Sequence, residues 1–281
     1  MKEFSFVIIP DLELGRPHFD LCDARIWNPG QRKERVVARG IEERLAKTVG
    51  FINSLPEVKF AITAGDLTDS ALPEQFLKVK EILDKLEIPW LPVIGNHDLW
   101  PYRKLPDPFL SRRHSEEAEI PIGPKIFEEI FQENFQRLSE FFEGWQKQKT
   151  LFQNYTFLYK SIRFIIIDNM SRRHAILGFP GVIGFPHLYL ETRDWLRDQL
   201  SREEERKIVI SHAPLSQKLL VGFSRGKEIV NIAGYLHREK RLRKSNSNIN
   251  TFVTSALYLK PVIIVVRVLP DDIQFHSVRI L

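Results

Sequence analysis

Apolar residues recur along the chain in two rhythms. Segments 4–9, 60–64, 88–94, 163–168 and 207–210, each built around an apolar run, are short enough for strands and apolar enough to be covered on both faces. Helical spacing fills the intervals: Val36, Val37, Ile41, Leu45, Val49 and Ile52 predict a helix over 31–55, and Phe76, Val79, Ile82, Leu83 and Leu86 one over 73–86. A third helix is expected over 125–146, with a wide face that includes Phe127, Phe131, Phe135, Phe142 and Trp145, and a fourth over 190–200. Strand–helix–strand alternation predicts a parallel sheet with right-handed crossovers. Further β-rich segments fall at 155–159, 251–257, 261–269 and 273–280. Residues 101–124 hold five prolines and read as an irregular excursion; with the helix that follows, they make a candidate helical cap or insertion at 101–150. No linker divides the chain, so residues 1–281 are expected to form one domain, long enough for a sizeable core.

Composition narrows the setting. Hydrophobic content of 43% and charged content of 27% are ordinary for a globular protein. The single cysteine, Cys22, excludes an internal disulfide and suits a reducing compartment. The run at 4–9 is too short for the apolar region of a signal peptide, and no run is long enough to span a bilayer, so the chain is expected to be cytoplasmic and away from membranes. A formal charge of +5 permits an anionic substrate without demonstrating one. The basic run 238–244 is read as a solvated charged hairpin or helix rather than a nucleic-acid contact, because no aromatics interleave with it.

Candidate chemistry sits just past the strands. Five polar clusters each follow an apolar run: Asp11/Glu13, Asp66/Asp69, Asn96/His97/Asp98, His212 and Tyr235/His237. In open α/β sheets that end of the strand is where ligands bind. Carboxylate, amide oxygen and imidazole together suit divalent metals of intermediate hardness. Two such ions about 3.5–4 Å apart would clamp the attacking and leaving oxygens of a phosphoryl transfer.

Read in order, Asp11-Leu12-Glu13, Gly65-Asp66-Leu67-Thr68-Asp69, Gly95-Asn96-His97-Asp98, His212 and Gly234-Tyr235-Leu236-His237 resemble the five motifs of the calcineurin-like metallophosphoesterases (D-x-H, G-D-x-x-D, G-N-H-D, a lone H after a strand, G-H-x-H). The segment 65–98 is most similar to the cyclic-nucleotide phosphodiesterase branch. The resemblance implies an α/β fold, a four-layer α-β-β-α sandwich of two mixed sheets flanked by helices. It also implies one or two divalent ions, with Asp66 bridging, Asp11, Glu13 and His237 on the first, and Asn96, His212 and Tyr235 on the second.

Two positions depart from the family pattern. Glu13 stands for a histidine, which favours manganese, iron or magnesium over zinc at the first site, and Tyr235 stands for another, which weakens the second site or makes it select a harder metal such as ferric iron. The mechanism implied is in-line attack by a metal-bound hydroxide with His97 as general acid and Asp98 as its orienter. The activity expected is phosphodiester hydrolysis on a phosphate-ester small molecule or nucleotide. A phosphomonoesterase or nuclease is the alternative within enzymes, and a catalytically weakened binding scaffold the alternative outside them. Asp69 is expected to form structural hydrogen bonds, and His18 to be a loop histidine.

Overall fold

Strand β1 (Phe4–Ile9) is buried along its whole length, and its neighbours explain why. In the computed structural model, which describes residues 3–15, 40–99, 122–172, 186–204, 206–243 and 248–280, β1 lies inside a five-stranded sheet of order β12-β11-β1-β2-β3. It pairs in parallel with β2 (Val58–Thr63), which pairs in parallel with β3 (Trp90–Leu91). On its other side it runs antiparallel to β11 (Val262–Val268), itself antiparallel to β12 (Ile273–Arg279).

The second sheet has seven strands in the order β4-β5-β6-β7-β8-β10-β9. Its centre is parallel: β6 (Ile162–Ile167), β7 (Arg206–Ser211), β8 (Glu228–Ala233) and β10 (Ile249–Val253). Antiparallel strands close both edges: β4 (Glu143–Lys147) and β5 (Tyr155–Tyr159) on one side, β9 (Lys240–Arg243) on the other.

The period-two alternation of these strands sorts their side chains between two cores. Phe6 and Phe60 stack at 5.2 Å on the first sheet and meet Phe164 of the second edge-on at 5.3 and 5.4 Å. Phe164, Ile166, Ile208, Ile210, Val230 and Ile232 join this central core, whereas Ile165, Ile167, Val209 and Ile229 turn to the opposite face. There they meet Leu196 and Leu200 of helix α4 (Leu190–Ser201) and Leu220 of α5 (Gln217–Ser224). Helices α1 (Ile41–Asn53), α2 (Pro73–Leu83) and α3 (Gly123–Phe141) bury Leu45, Val49, Phe76, Val79, Phe127 and Phe131 into the central core beside the first sheet. Two mixed sheets flanked by helices are the architecture expected of this sequence.

Some boundaries differ from the sequence reading. The run 88–94 yields only a two-residue strand; Pro89 and Pro92 cannot donate to a ladder, and Val93 donates its N–H to the Thr63 hydroxyl instead. The expected helix 125–146 stops at Phe141 and the chain re-enters the sheet as β4. Gly144 takes a left-handed φ of 61° where the β4–β5 register shifts, and Trp145 stacks on Tyr155 at 5.1 Å, so cross-strand packing overrides helical spacing. Of the predicted helix 31–55, residues 41–53 form α1, and 31–39 lie outside the described residues. Residues 100–121 also lie outside them, while α3 and β4 belong to the main core and the second sheet.

Phe60 is fully buried at the junction of the two sheets. Replacing it with Ala is expected to cost about 3–5 kcal/mol, read as a lower urea midpoint at an unchanged slope; a loss below about 1 kcal/mol would show that the sheets do not close on this ring.

Candidate metal centre

Loops leaving β1, β2, β3, β7 and β8 converge at the carboxyl ends of their strands, and all five polar clusters meet there. Asp66 is the centre of the arrangement. Its backbone carbonyl accepts from Leu12 and Glu13 N–H at 3.0 and 2.8 Å, and Oδ1 accepts from His97 N–H at 2.9 Å. Its Oδ2 lies 3.1 Å from Nε2 of His212, which is also 3.0 Å from Oδ1 of Asn96. On the other side, Nε2 of His237 is 3.5 Å from Asp11 Oδ2 and 3.4 Å from Glu13 Oε1.

Close approach at this density requires missing side chains. A Cβ on Gly95 would lie 2.1 Å from Asp66 Oδ1, and one on Gly234 would lie 2.0 Å from Asp11 Oδ1; the motif glycines are the space into which the carboxylates fit. Left-handed backbone at Glu13, Asp66, Tyr235 and His237, with φ of 46°, 47°, 67° and 51°, aims these side chains inward. Such conformations cost energy and persist where surrounding structure over-determines them.

Burial sets the electrostatics. Burial raises Asp11 to about 7, partly opposed by the His212 charge. Burial also opposes ionisation of Asp66, yet the His212 and His97 charges and hydrogen bonds outweigh it and hold Asp66 below the usual carboxylate range. For His212, burial favours the neutral ring, but Asp66 and Asp11 together raise it to about 10. Burial, then the Asp66 charge, lift Asp98 to about 7.

The donor set fits a divalent cation. Asp11 Oδ1 is buried and accepts no hydrogen bond among the described residues. Donor atoms of Glu13, Asp66 and His237 lie within 4.8 Å of one another, as do those of Glu13, Asp69 and His97. Buried carboxylate oxygens with imidazole nitrogens suit manganese, iron or zinc.

A family model for calcineurin-like phosphoesterases matches residues 5–253. The chain belongs to this family. In sequence, no curated protein gives a significant match. In structure, the purple acid phosphatase PPD1 of yellow lupin (Lupinus luteus) superposes with a TM-score of 0.59 at 10% identity, over 99% of this chain and 52% of that one. A Staphylococcus aureus protein assigned as a 5'-nucleotidase gives 0.54 at 11% identity, over 100% and 55%. The protein TT1561 of Thermus thermophilus gives 0.53 at 9%, over 99% and 100%. The chain spans about half the length of the first two, and at these identities the likeness is one of fold.

Against the phosphoesterase motifs, the structure brings Asp11, Glu13, Asp66, Asn96, His212 and His237 together, with His97 beside them. Tyr235 reaches the centre in two ways: its N–H donates to Asp11 Oδ2 at 3.0 Å, and its ring stands edge-on to His212 at 5.6 Å. The expected role of Asp98 is corrected. Its carboxylate accepts from Gly95, Leu67 and Thr68 N–H and from the Thr68 hydroxyl at 2.8–3.0 Å, which clamps the β2 and β3 loops to each other. The His97 ring is instead oriented by the Asp69 carbonyl, 2.8 Å from Nδ1. Asp69 thus forms a structural hydrogen bond beside the site, as expected, through its backbone carbonyl. His18 lies outside the described residues.

Because His212 is raised to about 10 in the metal-free chain, it is protonated at neutral pH and must lose that proton before Nε2 can ligate an ion. Metal uptake at pH 7 should release at least one proton, from His212 and from the part of Asp11 still protonated, and affinity should climb with pH until both have titrated. Calorimetry in buffers of different ionisation enthalpy measures this; zero release would show that His212 does not ligate.

Proposed function

We propose that the chain is a metal-dependent phosphoester hydrolase with a preference for diesters. The observation that carries this reading is the convergence of Asp11, Glu13, Asp66, Asn96, His212 and His237 around one buried point at the strand ends, within a chain of phosphoesterase family membership. Asp11, Glu13, Asp66 and His237 would hold one divalent ion, with manganese or iron favoured by the oxygen-rich set. Asp66, Asn96 and His212, with Tyr235 alongside, would hold a second and weaker one. When bound, such ions supply positive charge to the phosphoryl oxygens and acidify water.

The chain's own groups do the rest. His97 carries a proton on Nδ1 for the Asp69 carbonyl and would deliver one from Nε2 to the leaving oxygen. Asp98 keeps His97 and Asp66 in register through the two loops it clamps. Diester over monoester follows the likeness of segment 65–98 to the cyclic-nucleotide phosphodiesterases. Small phosphate esters or nucleotides are the substrate class, in keeping with fold neighbours named as a phosphatase and a 5'-nucleotidase. Nucleic acid is less favoured. Arg241 of the basic run is exposed, but it donates to the Phe275 carbonyl and lies over the Phe252 and Phe275 rings, contacts within its own fold. No helix among the described residues is long and apolar enough to cross a membrane, and a cytoplasmic setting fits the single cysteine.

With added manganese, bis-p-nitrophenyl phosphate should be hydrolysed with a higher kcat/KM than p-nitrophenyl phosphate; the reverse order would replace the diester reading by the monoesterase one. Less than one metal per chain together with no turnover would overturn the enzyme. His97→Ala should lower kcat by about 10²–10⁴ with metal content intact, and loss of metal instead would make His97 a ligand.

A further inference from the structure

The three histidines of the centre are oriented by different partners. Nδ1 of His97 faces the Asp69 carbonyl, and Nδ1 of His212 faces the Ala64 carbonyl at 2.9 Å. A carbonyl only accepts, so each of these rings is held with a proton on Nδ1. His237 differs: its Nδ1 lies 3.0 Å from the hydroxyl of Tyr258. Tyr258 belongs to none of the five motifs, and it is 2% exposed with its ring edge-on to His237 at 5.3 Å.

The position of Tyr258 in the fold gives this contact reach. It lies in the turn where the chain passes from β10 of the seven-stranded sheet to β11 of the five-stranded one. Leu257 and Tyr258 N–H donate to the Asp11 carbonyl at 2.9 and 3.4 Å. Arg44 of α1 donates to the Leu257 and Tyr258 carbonyls at 2.7 and 2.6 Å, which locks the turn from behind. One turn thereby fixes the backbone of Asp11, which follows β1, and the imidazole of His237, which follows β8.

We propose that Tyr258 is the positioning residue of His237: its hydroxyl accepts the Nδ1 proton and so presents the Nε2 lone pair to the divalent ion shared with Asp11, Glu13 and Asp66. This rests on the metal-dependent reading above. Outer partners of this kind fix the tautomer and ring orientation of a metal-binding imidazole. A hydroxyl can donate as well as accept, so the direction of the Tyr258 contact bears on the His237 tautomer as the carbonyl contacts do at His97 and His212.

Tyr258→Phe keeps the edge-on ring and removes only the hydroxyl. Mn²⁺ titration of the full chain by calorimetry should show the affinity for one ion falling about 10- to 100-fold, with the other ion unaffected. Tyr155→Phe, which removes a buried hydroxyl bonded to the Pro92 carbonyl, controls for destabilisation alone and should leave both affinities unchanged. In the Zn²⁺-loaded chain, the Nδ1 proton of His237 should be visible by ¹⁵N-edited NMR and slow to exchange, and exchange-broadened in Tyr258→Phe. Wild-type affinity in Tyr258→Phe, equal losses in Tyr155→Phe, or an Nδ1 proton still slow to exchange without the hydroxyl would each overturn the proposal while leaving metal dependence standing. Failure of the wild-type chain to take up Mn²⁺ or Zn²⁺ would overturn both readings.

Discussion

Asp66 ties strand ends of both sheets to one carboxylate. It comes from the five-stranded sheet, yet its Oδ2 sits 3.1 Å from Nε2 of His212, which comes from the seven-stranded one. Its carbonyl holds the β1 loop through Leu12 and Glu13, and its Oδ1 holds the β3 loop through His97. A carboxylate buried this completely is tolerable only when paired and hydrogen-bonded; Asp66 is both, and the groups that satisfy it are the loops that carry the site. Moving it would release three strand ends at once.

That dependence explains the polar arrangement behind the site as well. Asp98 takes up four donors from the β2 and β3 loops, which keeps Gly95 against Asp66 at a distance no side chain would permit. Arg44 reaches from α1 to the Leu257 and Tyr258 carbonyls and holds Asp11 through the same turn. The residues that position the centre therefore come from a helix, a turn and two loops, while the groups with metal-ligating chemistry stay on the strand ends.

How much of this could be read from the sequence follows the range of the forces involved. Strand and helix identity is local: continuous apolar runs gave β1, β2, β6 and β7, and helical spacing gave α1, α2 and α3. Boundaries failed where distant partners decide them. Phe141 ends α3 because Trp145 finds Tyr155 across a strand pair, and β3 shrinks because prolines flank it. In the site, the chemical types of the clustered residues were plain from their order. The partner of His97 was not, since an aspartate next to a histidine in sequence need not face it, and Asp98 faces the β2 loop. Tyr258 carried no signal at all: its hydroxyl meets a histidine 21 positions away and its carbonyl an arginine 214 positions away.

The substitutions at positions 13 and 235 act on the two halves of the centre differently. Glu13 brings a carboxylate beside Asp11 and Asp66, and His237 sets its imidazole against them, 3.5 Å from Asp11 Oδ2 and 3.4 Å from Glu13 Oε1. Oxygen donors are hard and negatively charged, and they draw manganese, iron or magnesium in preference to zinc. In the proposed first site the His237 nitrogen would carry the softer character among these oxygens, so its orientation would matter. On the other side, Tyr235 lays its ring edge against His212 and gives its N–H to Asp11. The backbone of the altered motif still braces the first site through that N–H, while its side chain supplies an aromatic edge where the family has an imidazole. Under the proposed assignment the two departures push in opposite directions: the first half of the centre would gain charge and keep its support, and the second half would lean on Asp66, Asn96 and His212.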